Sequence, residues 1–542
     1  MRKTSKLLAL LIAFTLLLTS LVTASSADKK GGYVEELKIG TTKPNDVFNS
    51  NSESGAFGQM NYNAFTQATF TDLDENYRVK PNFMQSWEIS DDYKTLTFTF
   101  PENVYWHDGK PVTAEDVKFT FEYLRDVKKS SYITRFNLTD VEILEPNKIR
   151  LTFEGSSAWA FINRIAFVVY VYPKHIWEKI DDPKNYAGED AVIGCGPYKY
   201  VSYDPDSQTS YYTAVDSYYR EITVRNVSVR SFDNQESLLM ALKSGQIDAI
   251  YDYANPLDAT LAQAFMDVPN IDPGKSYNTG SFFVSFGFNK YPSKDLEFRK
   301  AVSYALDYEL LRKVIAGEYS EVASRGIIAP PNKGYDPTIE KLKTDLNEAN
   351  KILDQAGFKD IDGDGIRELP DGKPMDILIT PSNNIARQQL FVRISEVVGE
   401  NLKKVGIKTT IDMESVRNVD FFKKRTQQDQ DYDLFIHFST PGSARFDTIA
   451  VYFPPKPHSN WGTYTDEKFI AAYKKLWVSK DNIEYDKNVV ELQKIFVEQI
   501  PGIALCWDMA FFPYRTDKYE GWTNYPAWGV INNETWYTLR TK

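Results

Sequence analysis

Trp106-His107-Asp108-Gly109-Lys110-Pro111-Val112-Thr113-Ala114-Glu115-Asp116-Val117 is the stretch on which the fold assignment turns. Asp108-Gly109 supplies turn chemistry: Gly accepts positive φ, and Asp can bond nearby main chain. Thr113 reads as a helix N-cap with Asp116 three residues on. Val117, Phe121 and Leu124 then share one helical face. The stretch is a strand–turn–helix junction, and His107 within it is expected to be a packed structural histidine. Just upstream, Thr95-Leu96-Thr97-Phe98-Thr99-Phe100 alternates polar and apolar, the period of a half-buried strand, and Pro101 ends it. Glu36–Gly40, Ile149–Phe153, Phe167–Tyr172 and Ile247–Tyr251 also read as strands. Gly194-Cys195-Gly196-Pro197-Tyr198 is a turn into a Tyr-rich strand, and Ser237–Lys243 is a helix closed by Gly245. Strands and helices alternate along the chain, with no repeat or long linker, which predicts an α/β fold.

The 542 residues allow two to four domains, and 42% hydrophobic with 25% charged residues is a globular composition. A net charge of −11 with no long basic run argues against nucleic acid as a partner. Two cysteines and four histidines exclude a Cys/His zinc scaffold and a disulfide-dense fold. Residues 1–24 read as a secretory signal peptide: Arg2, Lys3 and Lys6 precede the apolar run Leu7–Leu18, and Val22-Thr23-Ala24 suits cleavage, as does Ser25-Ser26-Ala27. The run is shorter than the about 20 residues a membrane span needs. No cysteine lies near the cleavage site. The expectation is an exported protein, soluble in the periplasm or at the extracytoplasmic cell surface, with no lipid anchor.

Several motifs in order resemble those of the extracellular solute-binding proteins of ABC importers, family 5, which contains oligopeptide-, dipeptide- and nickel-binding proteins. They are Gln85–Ser90, the Trp106–Val117 stretch, Gly194–Tyr198, Ala241–Asp248, Phe298–Asp307, Pro501–Ile503 and Tyr519–Trp522. The resemblance implies a bilobed α/β clamp, like a periplasmic binding protein, with an extra inserted domain in the first lobe and two hinge strands. The first lobe is expected at 28–65, 192–280 and 508–542, the inserted domain at 66–191 and the second lobe at 281–507. It further implies a monomeric receptor, not an enzyme, that captures a peptide or peptide-like solute in the interlobe cleft and delivers it to a membrane permease. An oligosaccharide receptor of the same family is the alternative, with nickel chelates a further ligand class. A secreted enzyme or a peptide-holding chaperone is the reading from a different class; no G-x-S-x-G, H-E-x-x-H or P-loop is present.

Peptide binders of this family hold the ligand ammonium with an aspartate in a segment that corresponds here to Asp433–Asp447, where that aspartate is missing. A charge in a closed cleft needs a partner, so a neutral or capped ligand is expected unless Asp447 takes the role. Phe438, Ser439, Trp461, Trp507 and Trp528 are the candidate ligand contacts, by stacking and hydrogen bonding, with core packing the alternative for each ring.

Asp360-Ile361-Asp362-Gly363-Asp364-Gly365-Ile366-Arg367-Glu368-Leu369-Pro370-Asp371 has the front half of an EF-hand-type calcium loop. Asp360, Asp362 and Asp364 are candidate ligands, with the Ile366 carbonyl and Glu368 or Asp371 completing the shell; a solvated acidic turn is the alternative. No cofactor is required, and calcium, if bound, is structural. Cys195 and Cys506 form an even pair in an exported chain, either a disulfide or two buried thiols.

Overall fold

The computed structural model describes residues 31–43, 48–49, 66–75, 78–134, 136–164, 166, 168–251, 257, 259–330, 332, 334–384, 387–439, 464–476, 478–525 and 529–542. Two mixed sheets dominate. The first has seven strands in the order Ile271–Asp272, Tyr514–Arg515, Ala249–Ile250, Val34–Thr41, Val224–Ser231, Thr209–Ala214 and Tyr198–Asp204. Val34–Thr41 runs parallel to both its neighbours, and the other pairings are antiparallel. The second has five strands in the order Thr409–Ile411, Ile377–Pro381, Leu434–Ser439, Ser281–Phe286 and Gly502–Ala504. A separate antiparallel sheet, Ser86–Ile89, Thr95–Thr99, Lys148–Phe153 and Leu138–Glu145, lies between the first two segments of the seven-stranded sheet in sequence.

The chain ends close one core. Val34, Leu37 and Ile39 pack with Val530, Ile531, Trp536 and Leu539, and Thr541 N–H donates to the Gly32 carbonyl at 3.0 Å. The chain passes between the two large sheets twice, at 273–280 and 505–513. These passages pair with each other: Trp507–Ala510 is the central strand of a three-stranded sheet between Ser276–Tyr277 and Ser320–Glu321.

Local chemistry explains most elements. Thr113 and Asp116 form a capping box on the helix Ala114–Glu122. Asp307 caps Tyr308–Ala316, and Asp345 caps Leu346–Gln355. The expected strand Phe167–Tyr172 is not a strand. Its described part makes one isolated bridge, Thr69 to Tyr170, and Tyr172 N–H donates to the Thr120 hydroxyl. That run is apolar because Val169, Val171 and Tyr172 are buried in a connection, and burial alone does not distinguish a strand. Among the described residues, no helix is long and apolar enough to cross a membrane.

Candidate functional site

The motif residues hold structure. His107 N–H donates to the Gly194 carbonyl at 2.9 Å, and His107 Nε2 lies 3.1 Å from the Gly196 carbonyl. The Gly194–Tyr198 turn lies against the main chain of Thr66, where a Cβ on Gly194 would fall 2.0 Å from the Thr66 carbonyl oxygen. Burial pushes the His107 ring down to about 4. Two motifs 87 residues apart are thus one junction.

The paired passages carry the polar group that the apolar chain around it does not explain. Asp508 is 7% exposed and faces Ser320 across the sheet. Asn278, on the other passage, donates its N–H to the Asp508 carbonyl at 3.0 Å and its Nδ2 to Asp508 Oδ2 at 3.2 Å. Asp508 Oδ1 is buried with no hydrogen-bond partner among the described residues. Burial pushes the carboxyl up to about 6, against the opposing pull of the Arg387 charge and the Asn278 bond. The Arg387 guanidinium lies 5.8 Å from the Phe282 ring centre and 5.3 Å from that of Phe438, and the two rings meet edge to face at 5.3 Å. This is a half-apolar, half-charged site at the junction of the two large sheets.

Of the residues expected to touch ligand, Phe438 is there, partly buried, and Ser439 is buried beside it, opposite Ser281. Trp507 is corrected. It is 1% exposed within the main core, so its ring has no open face for a sugar. Asp447, Trp461 and Trp528 lie outside the described residues. Asn278, Phe282, Arg387 and Asp508 were not anticipated. The signal for Asp508 was available: it is the one charged residue between Pro501 and Pro513, and a lone carboxylate in an apolar run calls for a partner.

The disulfide considered from sequence is not formed. Cys195 and Cys506 are buried free thiols. Cys195 belongs to the turn packed on Thr66, whereas the Cys506 carbonyl accepts the Ser281 hydroxyl at the passage between sheets. Burial pushes the Cys195 thiol up to about 12.

The acidic loop gathers a different triad from the one the spacing suggested. Asp360, Asp362 and Glu368 each offer a carboxylate oxygen within 4.8 Å of the others. Glu368 returns to the loop because it bridges Lys359, and its Oε2 accepts Ile361 N–H at 2.7 Å. Asp364 Oδ1 instead accepts Ile366 N–H at 2.7 Å, and Asp371 pairs with Lys373 at 2.5 Å. Arg367 anchors the loop to the Val405 carbonyl at 2.8 Å and to Asp354 at 2.6 Å.

A family profile described as bacterial extracellular solute-binding proteins, family 5, middle, matches residues 78–460. The chain belongs to this family. This family 5 solute-binding protein is 24% identical over 535 residues to the probable peptide-binding protein YejA of Agrobacterium fabrum, covering 82% of this chain and 83% of the relative. It is 24% identical over 543 residues to the oligopeptide-binding protein AppA of Bacillus subtilis, covering 95% and 94%. Two solved structures share its fold. AppA from Bacillus subtilis in complex with a nonapeptide has a TM-score of 0.72 at 21% identity, covering 94% of this chain and 100% of that one. NikZ from Campylobacter jejuni in complex with Ni(L-His) has a TM-score of 0.73 at 23% identity, covering 93% and 99%. The bilobed clamp of the family 5 binding proteins is therefore the fold of this chain.

Proposed function

We propose that this family 5 protein is the extracytoplasmic receptor of an ABC importer, capturing a peptide or peptide-like solute between its lobes and passing it to the membrane permease without a catalytic step. The observation that carries the reading is the group at the paired passages: a buried, half-satisfied carboxylate beside a guanidinium lying over two phenyl rings. Polar groups placed among aromatic walls fix the orientation of a small solute, and both passages between the two large sheets run through this point, so a solute bound there can bias closure. The near full-length likeness to an oligopeptide-binding protein supports the same solute class. The packed ring of Trp507 removes one of the stacking faces on which the oligosaccharide alternative rested. The protein works as a monomer, exported by the signal peptide at residues 1–24.

A pool of short peptides is expected to reduce the radius of gyration of the purified protein in small-angle scattering, with saturation at one peptide per chain. An unchanged radius under saturating peptide, or turnover of the peptides, would sink this reading.

We further propose that calcium, when present, is a structural ion held by Asp360, Asp362 and Glu368 at the end of the helix Leu346–Gln355. Three carboxylates suit a hard cation that takes oxygen ligands. An ion bound only by the folded state at 100 times its Kd adds about 2.7 kcal/mol. Calcium is expected to raise the melting temperature of the wild type and to leave Asp362→Ala unmoved. The same response in both proteins would exclude the loop.

A further inference from the structure

We propose that the small cavity beside Arg325 is a binding site for a monatomic anion, chloride or bromide, which ties the outer edge of the five-stranded sheet to the helix next to it. The inference is independent of the solute-binding reading above. The cavity is walled by Ser303, Arg325, Leu342, Phe496, Ile500 and the strand Gly502–Ala504. It has room for one water-sized particle. Leu342, Phe496 and Ile500 make it apolar except where Arg325, Ser303 and the main chain of the strand reach it.

Arg325 is the charged group of the cavity, and only 12% of its side chain is exposed. Nη1 donates to the Ser303 hydroxyl at 3.3 Å. Nη2 is buried with no hydrogen-bond partner among the described residues. The Glu340 carboxylate lies 3.6 Å from Nε, but it is 64% exposed and screened by water. The Tyr304 ring lies 5.0 Å from the guanidinium carbon, a cation–π contact that leaves Nη2 unbonded. A buried donor on a charged group is costly to leave unmatched. The Ser303 hydroxyl, which sits in the helix Leu296–Ala305, accepts from Nη1 and keeps its own proton to donate.

The strand faces the same space. Gly502–Ala504 pairs with Ser281–Phe286, and no strand among the described residues pairs with its other edge. Leu505 N–H donates to the Phe282 carbonyl, and Phe286 N–H to the Pro501 carbonyl. Such bonds alternate along an antiparallel pair, so the main-chain groups of Gly502 and Ala504 point to the unpaired edge. Consecutive side chains take opposite faces of a sheet, and three successive residues therefore line one small cavity along that edge. The edge presents carbonyls as well as N–H groups, so the strand alone suits water as well as an anion, and the guanidinium decides between them. Water would take the Nη2 bond and leave the charge. A monatomic anion accepts from several donors at once and also neutralises the cation, an attraction that low-dielectric walls strengthen. A polyatomic oxyanion exceeds the space.

Thermal unfolding of the purified protein in sodium gluconate, with chloride or bromide exchanged in at constant ionic strength, tests the proposal. Either halide is expected to raise the melting temperature of the wild type and to saturate, by about 2–3 °C at 100 times its Kd. Arg325→Met is expected to lose that rise. No rise in the wild type, or the same rise in Arg325→Met, would overturn the proposal. The wild type alone gives a second reading that does not depend on the variant folding. Its crystals soaked in bromide are expected to show an anomalous scattering peak in contact with Arg325 Nη2. Bromide bound only elsewhere, or a water in that position, would overturn the proposal as well.

Discussion

Between pH 6.5 and about 3 the protein is expected to lose about 5 kcal/mol more stability than its His437→Gln variant. His437 lies in the strand Leu434–Ser439, 2% exposed, with its ring stacked on Phe283 at 5.9 Å and on Phe435 at 4.9 Å. Its Nε2 lies 2.7 Å from the Ser285 hydroxyl. Burial strips water from the ring and pushes it down to about 3, with the Phe438 main chain opposing. The unfolded chain takes up a proton near pH 6.5, but the folded chain resists until about 3. The unfolded state therefore holds more protons throughout that window, and stability falls as the pH drops. His107 is pushed down to about 4 by the same cause and acts in the same direction, less strongly because the hydrogen bond to Gly196 opposes its burial. Urea unfolding of both proteins across this pH range measures the difference. Parallel stability curves would show that His437 is not held neutral.

The elements written in local chemistry were legible. The Thr113–Asp116 capping box and the alternating strand at Thr95 depend on residues three or fewer positions apart, and both stand where the sequence placed them. The family motifs were legible as well, and their packing shows why they mark the fold and not the ligand: His107 and Gly194–Gly196 are spent on each other. The site was less legible because it is assembled from afar. Asn278 meets Asp508 across 230 positions, and no spacing rule reaches that distance. Trp507 was misjudged for a related reason: sequence gives a ring's identity but not which of its faces other side chains cover. In the acidic loop, Asp360, Asp362 and Glu368 were all among the sequence candidates; the bridge from Lys359 to Glu368 brings these three together, and Asp364, which the 1, 3, 5 spacing also named, is not in the group.

Asp508 is expected to act on stability in the opposite sense to His437. Relative to Asp508→Asn, the wild type is expected to lose about 3 kcal/mol as the pH rises from 3.8 through about 6, with a flat difference above. Here the folded state holds the extra proton, because burial penalises the carboxylate more than Arg387 and Asn278 favour it. In that window, raising the pH therefore destabilises the fold. Any constant effect of the substitution, such as an amide nitrogen left without an acceptor, cancels when the difference is followed against pH. Urea unfolding at a series of pH values for the two proteins gives the slope, and identical slopes would mean that Asp508 is not strained when charged. At neutral pH the folded protein thus carries an ionised group that its own residues stabilise incompletely.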